Sequence, residues 1–94
     1  MANNSKLERI KIRSNLLIQD LTDKISNPQY QKILDVRSNQ IYPSISFRAY
    51  FYWSSWKKLD KREAWQLLTT WQRMHLVEII PRRGARIVAA KGGI

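Results

Sequence analysis

The sequence predicts an α+β, mainly helical fold, and three observations predict it. Leu7, Ile10, Ser14, Leu17, Ile18, Leu21 and Ile25 recur at helical spacing and draw one apolar stripe over residues 5–26. Asp60 and Glu63 have the spacing of a capping box at the head of a strongly amphipathic run over residues 61–75. Two apolar segments, 76–81 and 85–90, then flank Arg82-Arg83-Gly84, a pattern for a β-hairpin in which Gly84 supplies the positive φ of the turn.

Taken in order, Ser5 and Glu8 are spaced to cap the first helix. Asn27-Pro28 breaks the chain and starts a short second helix, with Asn27 as N-cap, Pro28 at the first helical position and Tyr30, Ile33 and Leu34 on its apolar face. Ser38-Asn39 ends it. Gln40-Ile41-Tyr42 is extended, because Pro43 pushes Tyr42 toward the β region. Ser44 is placed to cap the next segment, 45–57, which carries two competing periods. As a helix it brings Ile45, Ala49, Tyr52 and Trp56 to one face; as a strand it alternates Ile45, Phe47, Ala49, Phe51 and Trp53 with polar or mixed residues. We take it as a helix, since that completes a coherent order with its neighbours.

The 61–75 helix gathers Ala64, Leu67, Leu68, Trp71, Met74 and His75 on one face. Its opposite face carries Arg62, Gln66, Thr69 and Arg73, with Trp65 at the border. Residues 91–94 are expected to form a flexible tail.

A chain of 94 residues makes one domain near the low end of what builds a core unaided, and four tryptophans supply much of its buried area. The formal net charge is +10. Residues 1–43 hold seven basic and four acidic side chains, a net +3, whereas 44–94 hold ten and three, a net +7. Charge concentrated on one half points to a dedicated polyanion site rather than to general solubility. There is no cysteine, so disulfides, thiolate metal sites and cysteine nucleophiles are excluded. The first residues lack the apolar core of a signal peptide and no run approaches membrane-spanning length, so a cytoplasmic protein without membrane association is expected, nucleoid-associated if prokaryotic.

Catalysis has little support in the sequence. His75, the one histidine, falls on the apolar side of its helix and reads as a buried structural residue. Asp20 and Asp23 are the one close acidic pair on a helix and read as solvated surface charges. With glycine at only 84, 92 and 93 there is no phosphate-cradling loop, and no cluster has metal-ligand spacing. No enzyme activity, cofactor, metal or small-molecule effector is expected.

Helix, short strand, helix, tight turn, helix, strand, basic turn, strand is an order that resembles the winged helix-turn-helix superfamily over roughly residues 28–90. The resemblance is sharpest from Leu67 through Trp71-Gln72-Arg73-Met74-His75 to Pro81-Arg82-Arg83-Gly84, which is similar to the helix-to-wing segment of many prokaryotic regulators. Two features depart from the pattern. His75 replaces the usual glycine between the third helix and the wing, and the segment in the second-helix position is unusually aromatic. The resemblance implies an extra N-terminal helix, a winged-helix core and a two-stranded C-terminal wing. It also implies a third helix in the major groove of double-stranded DNA, with Arg62, Gln66, Thr69 and Arg73 toward base edges. Arg82, Arg83 and Arg86 would then lie on the backbone or in the minor groove, and Lys57, Lys58 and Lys61 would hold phosphates. A small transcriptional regulator or a plasmid- or virus-type DNA-binding factor follows.

Phe47, Tyr50, Phe51 and Trp53 overfill one small core if their segment is helical, so they are read as a partner or dimer surface, or as packing against the first helix. The Leu7 to Ile25 stripe, Leu7 and Ile10 included, either dimerises as a short antiparallel or coiled-coil pair or simply caps its own domain, and a homodimer is expected because pairing adds buried surface. Two alternatives stay open: a winged-helix module that docks on a protein partner, and a binder of single-stranded nucleic acid or RNA through the aromatic segment 47–56.

Overall fold

Residues 2–91 are described by a computed structural model, with side chains from residue 8 onward. The Ser5 cap, the Leu7 contact and residues 92–94 therefore lie outside the described residues. Three helices hold about half of the chain, and the remainder builds a four-stranded antiparallel sheet in the order β1-β2-β4-β3. The α+β class is as expected, but the sheet is larger than the expected wing and single short strand.

Helix α1 (Ala2–Ile25) buries Leu17, Leu21 and Ile25, the C-terminal part of its apolar stripe. Ser14 interrupts that stripe to accept a hydrogen bond from the Trp71 indole Nε1–H at 3.0 Å. The helix expected after Pro28 is instead a turn followed by strand β1 (Lys32–Asp35). Its few apolar residues are better used across strands: Ile33 lies opposite Tyr42, and the two pack with Ala89. Residues 36–39 close the hairpin with side-chain chemistry typical of turns. The Asp35 carboxylate accepts from Arg37 N–H and Ser38 Oγ–H, and Asn39 takes a left-handed φ of 57°.

Strand β2 (Gln40–Ser46) changes partner along its length. Gln40–Pro43 pairs with β1, and Ser44–Ser46 pairs with β4. Ser44 is not a helix cap; it is buried in this strand and its hydroxyl donates to the Gln31 carbonyl at 3.0 Å. Ser46 caps α2 (Phe47–Trp56), accepting from Ala49 N–H. The helical reading of this segment holds, but Ile45 belongs to the strand and the predicted face is reversed. Tyr50 and Trp53 enter the core, whereas Tyr52 and Trp56 face outward.

Helix α3 (Lys61–Arg73) has the capping box predicted for it, Asp60 and Glu63 each accepting from the other's backbone N–H. Ala64, Leu68 and Trp71 are buried as its period requires. Two residues assigned to its apolar face, Met74 and His75, lie beyond its end and are exposed. His75 is therefore not a buried structural histidine.

Both α2 and α3 end in the same motif. Lys58 N–H donates to Ser55 O and Leu59 N–H to Ser54 O; His75 N–H donates to Gln72 O and Leu76 N–H to Trp71 O. These are Schellman pairs, which place the residue after the cap in the left-handed region usually held by glycine. Here Lys58 (φ 64°) and His75 (φ 62°) occupy it. A non-glycine residue there costs about 1–2 kcal/mol, offset in a glycine variant by about 0.5–1 kcal/mol of extra unfolded-chain freedom. His75→Gly is expected to stabilise the protein by about 0.5–1 kcal/mol, seen as a thermal midpoint several degrees higher. A lower midpoint would mean that the imidazole makes a stabilising contact of its own.

Strands β3 (Val77–Arg82) and β4 (Ala85–Ala90) form the C-terminal hairpin. Its turn is Arg83-Gly84, with φ values of 46° and 78°, as a two-residue type I′ turn requires. Alternation along these strands sends Val77, Val88 and Ala90 to the helices and Ala89 to the opposite face, where Ile80 and Ile87 join Ile33 and Tyr42. Lys91, expected in a loose tail, is anchored: its N–H donates to Leu76 O and its ammonium bridges Glu78 at 3.1 Å and Asp35 at 3.8 Å.

Candidate nucleic-acid interface

The orientation of α3 is set by three side-chain contacts on its inner side and flank. The Tyr50 hydroxyl donates to Ala64 O at 2.6 Å and pins α2 to α3; burial pushes this phenol far above its ordinary pKa, so it remains a donor. Trp71 ties α3 to α1 through Ser14. Gln72 Oε1 accepts from Ile79 N–H at 2.9 Å, which satisfies a backbone donor on the edge strand β3 and joins α3 to the hairpin.

With those contacts made, Arg62, Gln66 and Arg73 are exposed on the outward face as the sequence predicts. Thr69 is half-buried, and its hydroxyl donates to Gln66 O at 2.9 Å. One flank of this face reaches the hairpin. Trp65 stands edge-on to Phe47 with ring centres 6.0 Å apart, and the Arg86 guanidinium lies 5.7 Å from the centre of the same Phe47 ring. Phe47 is thus the link between α3 and the start of β4, near the hairpin turn. On the other flank α1 and α3 enclose a groove of about 370 Å³ lined by Ile10, Arg13, Gln66 and Leu67 among others. Ile10 is exposed on this groove, as a surface residue should be.

The charges divide unevenly. Lys58 and Lys61 at the α2–α3 turn, and Arg82, Arg83 and Arg86 on the hairpin, are all exposed. Among the described residues none of them, nor Arg62 or Arg73, makes a salt bridge. The acids of this half are engaged elsewhere: Asp60 and Glu63 in the capping box, Glu78 on Lys91. Seven cations consequently surround α3 with no acidic partner, an arrangement that suits a polyanion.

Lys57 differs from the other turn lysines. It is half-buried and its ammonium sits 3.1 Å from Asp20, which also accepts from the Trp53 indole Nε1–H at 2.8 Å. Burial pushes the Asp20 carboxyl up, but the Trp53 N–H and Lys57 outweigh it and hold its pKa below the ordinary carboxylate value. Asp20, its side chain still 46% exposed, therefore also clamps α1 to α2, whereas Asp23 is exposed as expected. Among the predicted partner-surface residues, Tyr50 and Trp53 are buried and offer nothing to a partner, while Phe47 and Phe51 are half-buried against the core. The core accommodates them because the rings meet edge-on or tilted at 5.3–6.0 Å.

Sequence reasoning missed Phe47 as a link, Gln72 as the α3–β3 tie and the outward pair Tyr52 and Trp56. Only the polarity of Gln72, on the flank of an amphipathic helix, gave any signal. Among the described residues no group of acids and histidine is placed to hold a metal ion, and no helix is long and apolar enough to cross a membrane. In comparisons with known proteins, no family model, no curated protein and no solved structure matches the chain.

Proposed function

We propose that the protein binds double-stranded DNA as a winged helix-turn-helix, with α3 in the major groove and the β3–β4 hairpin as the wing. The observation that carries this reading is the set of seven unpaired cations arrayed on α3, the α2–α3 turn and the hairpin. The order α1, β2, α2, α3, β3, β4, with β2 paired to β4 and β4 to β3, supports it; β1 is an addition at the outer edge of the sheet. Arg62 and Arg73 suit guanine O6 and N7, and Gln66 suits adenine N6 and N7. Arg82, Arg83 and Arg86, with Lys58 and Lys61, supply phosphate contacts that position the helix without reading sequence. The protein acts in this reading as a small transcriptional regulator or a plasmid- or virus-type DNA-binding factor. It works as a homodimer paired through α1, on which Ile10, Ile12 and Leu16 are exposed.

Selection from a random duplex library, followed by titration of the selected site, tests the reading and gives the stoichiometry in the same experiment. Gln66→Ala and Arg73→Ala are each expected to cost about 1–3 kcal/mol at particular base pairs and to relax preference there. If both variants keep the affinity and the preference of the parent, α3 is not the reading helix.

A further inference from the structure

Away from α3, the outward face of α2 carries a second set of groups that the duplex reading leaves unused. Trp56 is 74% exposed and Tyr52 is 69% exposed, and among the described residues neither ring packs on another aromatic ring. Two adjoining hollows, of about 430 and 470 Å³, flank them. Trp56 lines the first, Arg48 and Tyr30 line the second, and Tyr52 and Lys24 line both. The one acid there is Asp20, already answered by Lys57 and the Trp53 indole. Lys24 and Arg48 have no salt-bridge partner among the described residues.

We infer that this face binds single-stranded nucleic acid, with successive bases stacking on Tyr52 and Trp56 and phosphates meeting Lys24 and Arg48. Two features favour this occupant. The rings stand one helical turn apart, about 6 Å along the axis, which matches one nucleotide step of an extended strand. Cations then lie beside the ring row, where a backbone tracking past stacked bases would run, and base stacking on exposed rings is tolerant of sequence. None of the four groups assigned to the strand (Tyr52, Trp56, Lys24, Arg48) belongs to α3 or the hairpin, although the second hollow adjoins, through Tyr30, Ser46 and Ala49, one that Arg86 lines. The inference therefore goes beyond the duplex site: one molecule would hold a duplex on α3 and an unpaired strand on α2.

The test uses labelled oligo-dT and oligo-U of about twelve nucleotides, within the range that such surfaces cover, together with a random-sequence duplex. Each is titrated with the parent, with Tyr52→Ala/Trp56→Ala and with Tyr52→Phe/Trp56→Phe. The alanine pair is expected to weaken single-strand binding by about tenfold or more, the scale of losing base stacking on two rings, and to leave duplex binding within about twofold. The phenylalanine pair keeps the stacking planes and should retain most of the single-strand affinity. Relative affinity for oligo-dT and oligo-U tells whether DNA or RNA is the preferred strand. Because both rings are exposed, unchanged thermal midpoints are expected and verify that the variants fold. Failure of the parent to bind either oligonucleotide overturns the inference and moves the face to a protein partner. So does a parallel loss of duplex and single-strand binding in the alanine pair, which would mean one shared surface. Duplex binding read in the same series keeps either result separate from the fate of the α3 proposal.

Discussion

Trp71→Ala is expected to cost about 3–5 kcal/mol of folding free energy, a large fraction of what a chain of this size has. Trp71 is fully buried at the meeting point of α1, α3 and the sheet, packed in the cluster that includes Leu17, Leu21, Leu68 and Val77. Its removal leaves a cavity that three rigid elements cannot close, and it deprives Ser14 of its hydrogen-bond donor. Trp71→Phe keeps most of the volume and loses the N–H, so about 1–2 kcal/mol is expected for that variant. Urea denaturation checks both: the midpoint should fall steeply for alanine and modestly for phenylalanine, with little change in slope for the latter. A loss below about 1 kcal/mol for alanine would show that α1 does not depend on this contact.

Removing the two arginines at the hairpin tip is expected to weaken binding to every duplex alike. Arg83 sits at a φ of 46°, where alanine would be as strained as arginine, so the neutral replacement that respects the turn is asparagine. Arg82→Gln with Arg83→Asn therefore deletes two charges while preserving, or improving, the type I′ geometry. If each arginine meets one phosphate, the plot of log affinity against log salt becomes shallower by about 2, with a loss of tenfold or more at low salt. A selected site and a random duplex should suffer equally, in contrast to the base-pair-specific losses of Gln66→Ala and Arg73→Ala. An unchanged salt slope in a folded variant would remove the hairpin from the interface.

The parts of this fold that the sequence made legible are those whose determinants are local. Helix α3 announces itself through Asp60 and Glu63 three residues apart and through apolar residues at helical spacing, so its outward face is readable residue by residue. The β3–β4 hairpin is legible through Arg83-Gly84 between two apolar runs. Strand β1 was not, because the partner that makes Ile33 a strand residue is Tyr42, across a loop, and periodicity within four residues carries no such information. Helix α2 is a different failure. Aromatics or alanine occupy most of its positions, so period alone does not say which side is inward. The choice falls to Tyr50 and Trp53 because each has a polar atom that finds an acceptor on a neighbouring helix, Ala64 O and Asp20. Tyr52 and Trp56 make no such hydrogen bond and stay out.

The candidate site was legible in its composition and not in its architecture. Arg62, Gln66 and Arg73 emerge exposed as the helical period demands. Nothing local indicates that Phe47 bridges Trp65 to Arg86, since those three residues come from three elements. His75 is instructive in another way. The missing glycine after α3 is visible in the sequence, yet the backbone adopts the left-handed turn regardless, because the two Schellman hydrogen bonds outweigh the strain.

The change of partner along β2 separates the backbone pairing of β1 from the pairing that serves the α3 half of the molecule. The contacts that orient α3 come from α1, α2 and β3, whereas β1 and the 36–39 loop rest on the small cluster of Ile33, Tyr42 and Ala89 on the far face of the sheet and on the Asp35–Lys91 ion pair. Lengthening that loop disturbs no backbone pairing in the α3 half, and loop growth carries only a slow entropic cost. The β1 hairpin is thus a natural point of divergence: a place where a fused segment, an extended tip or a new binding loop is accommodated while the basic face of α3 keeps its geometry.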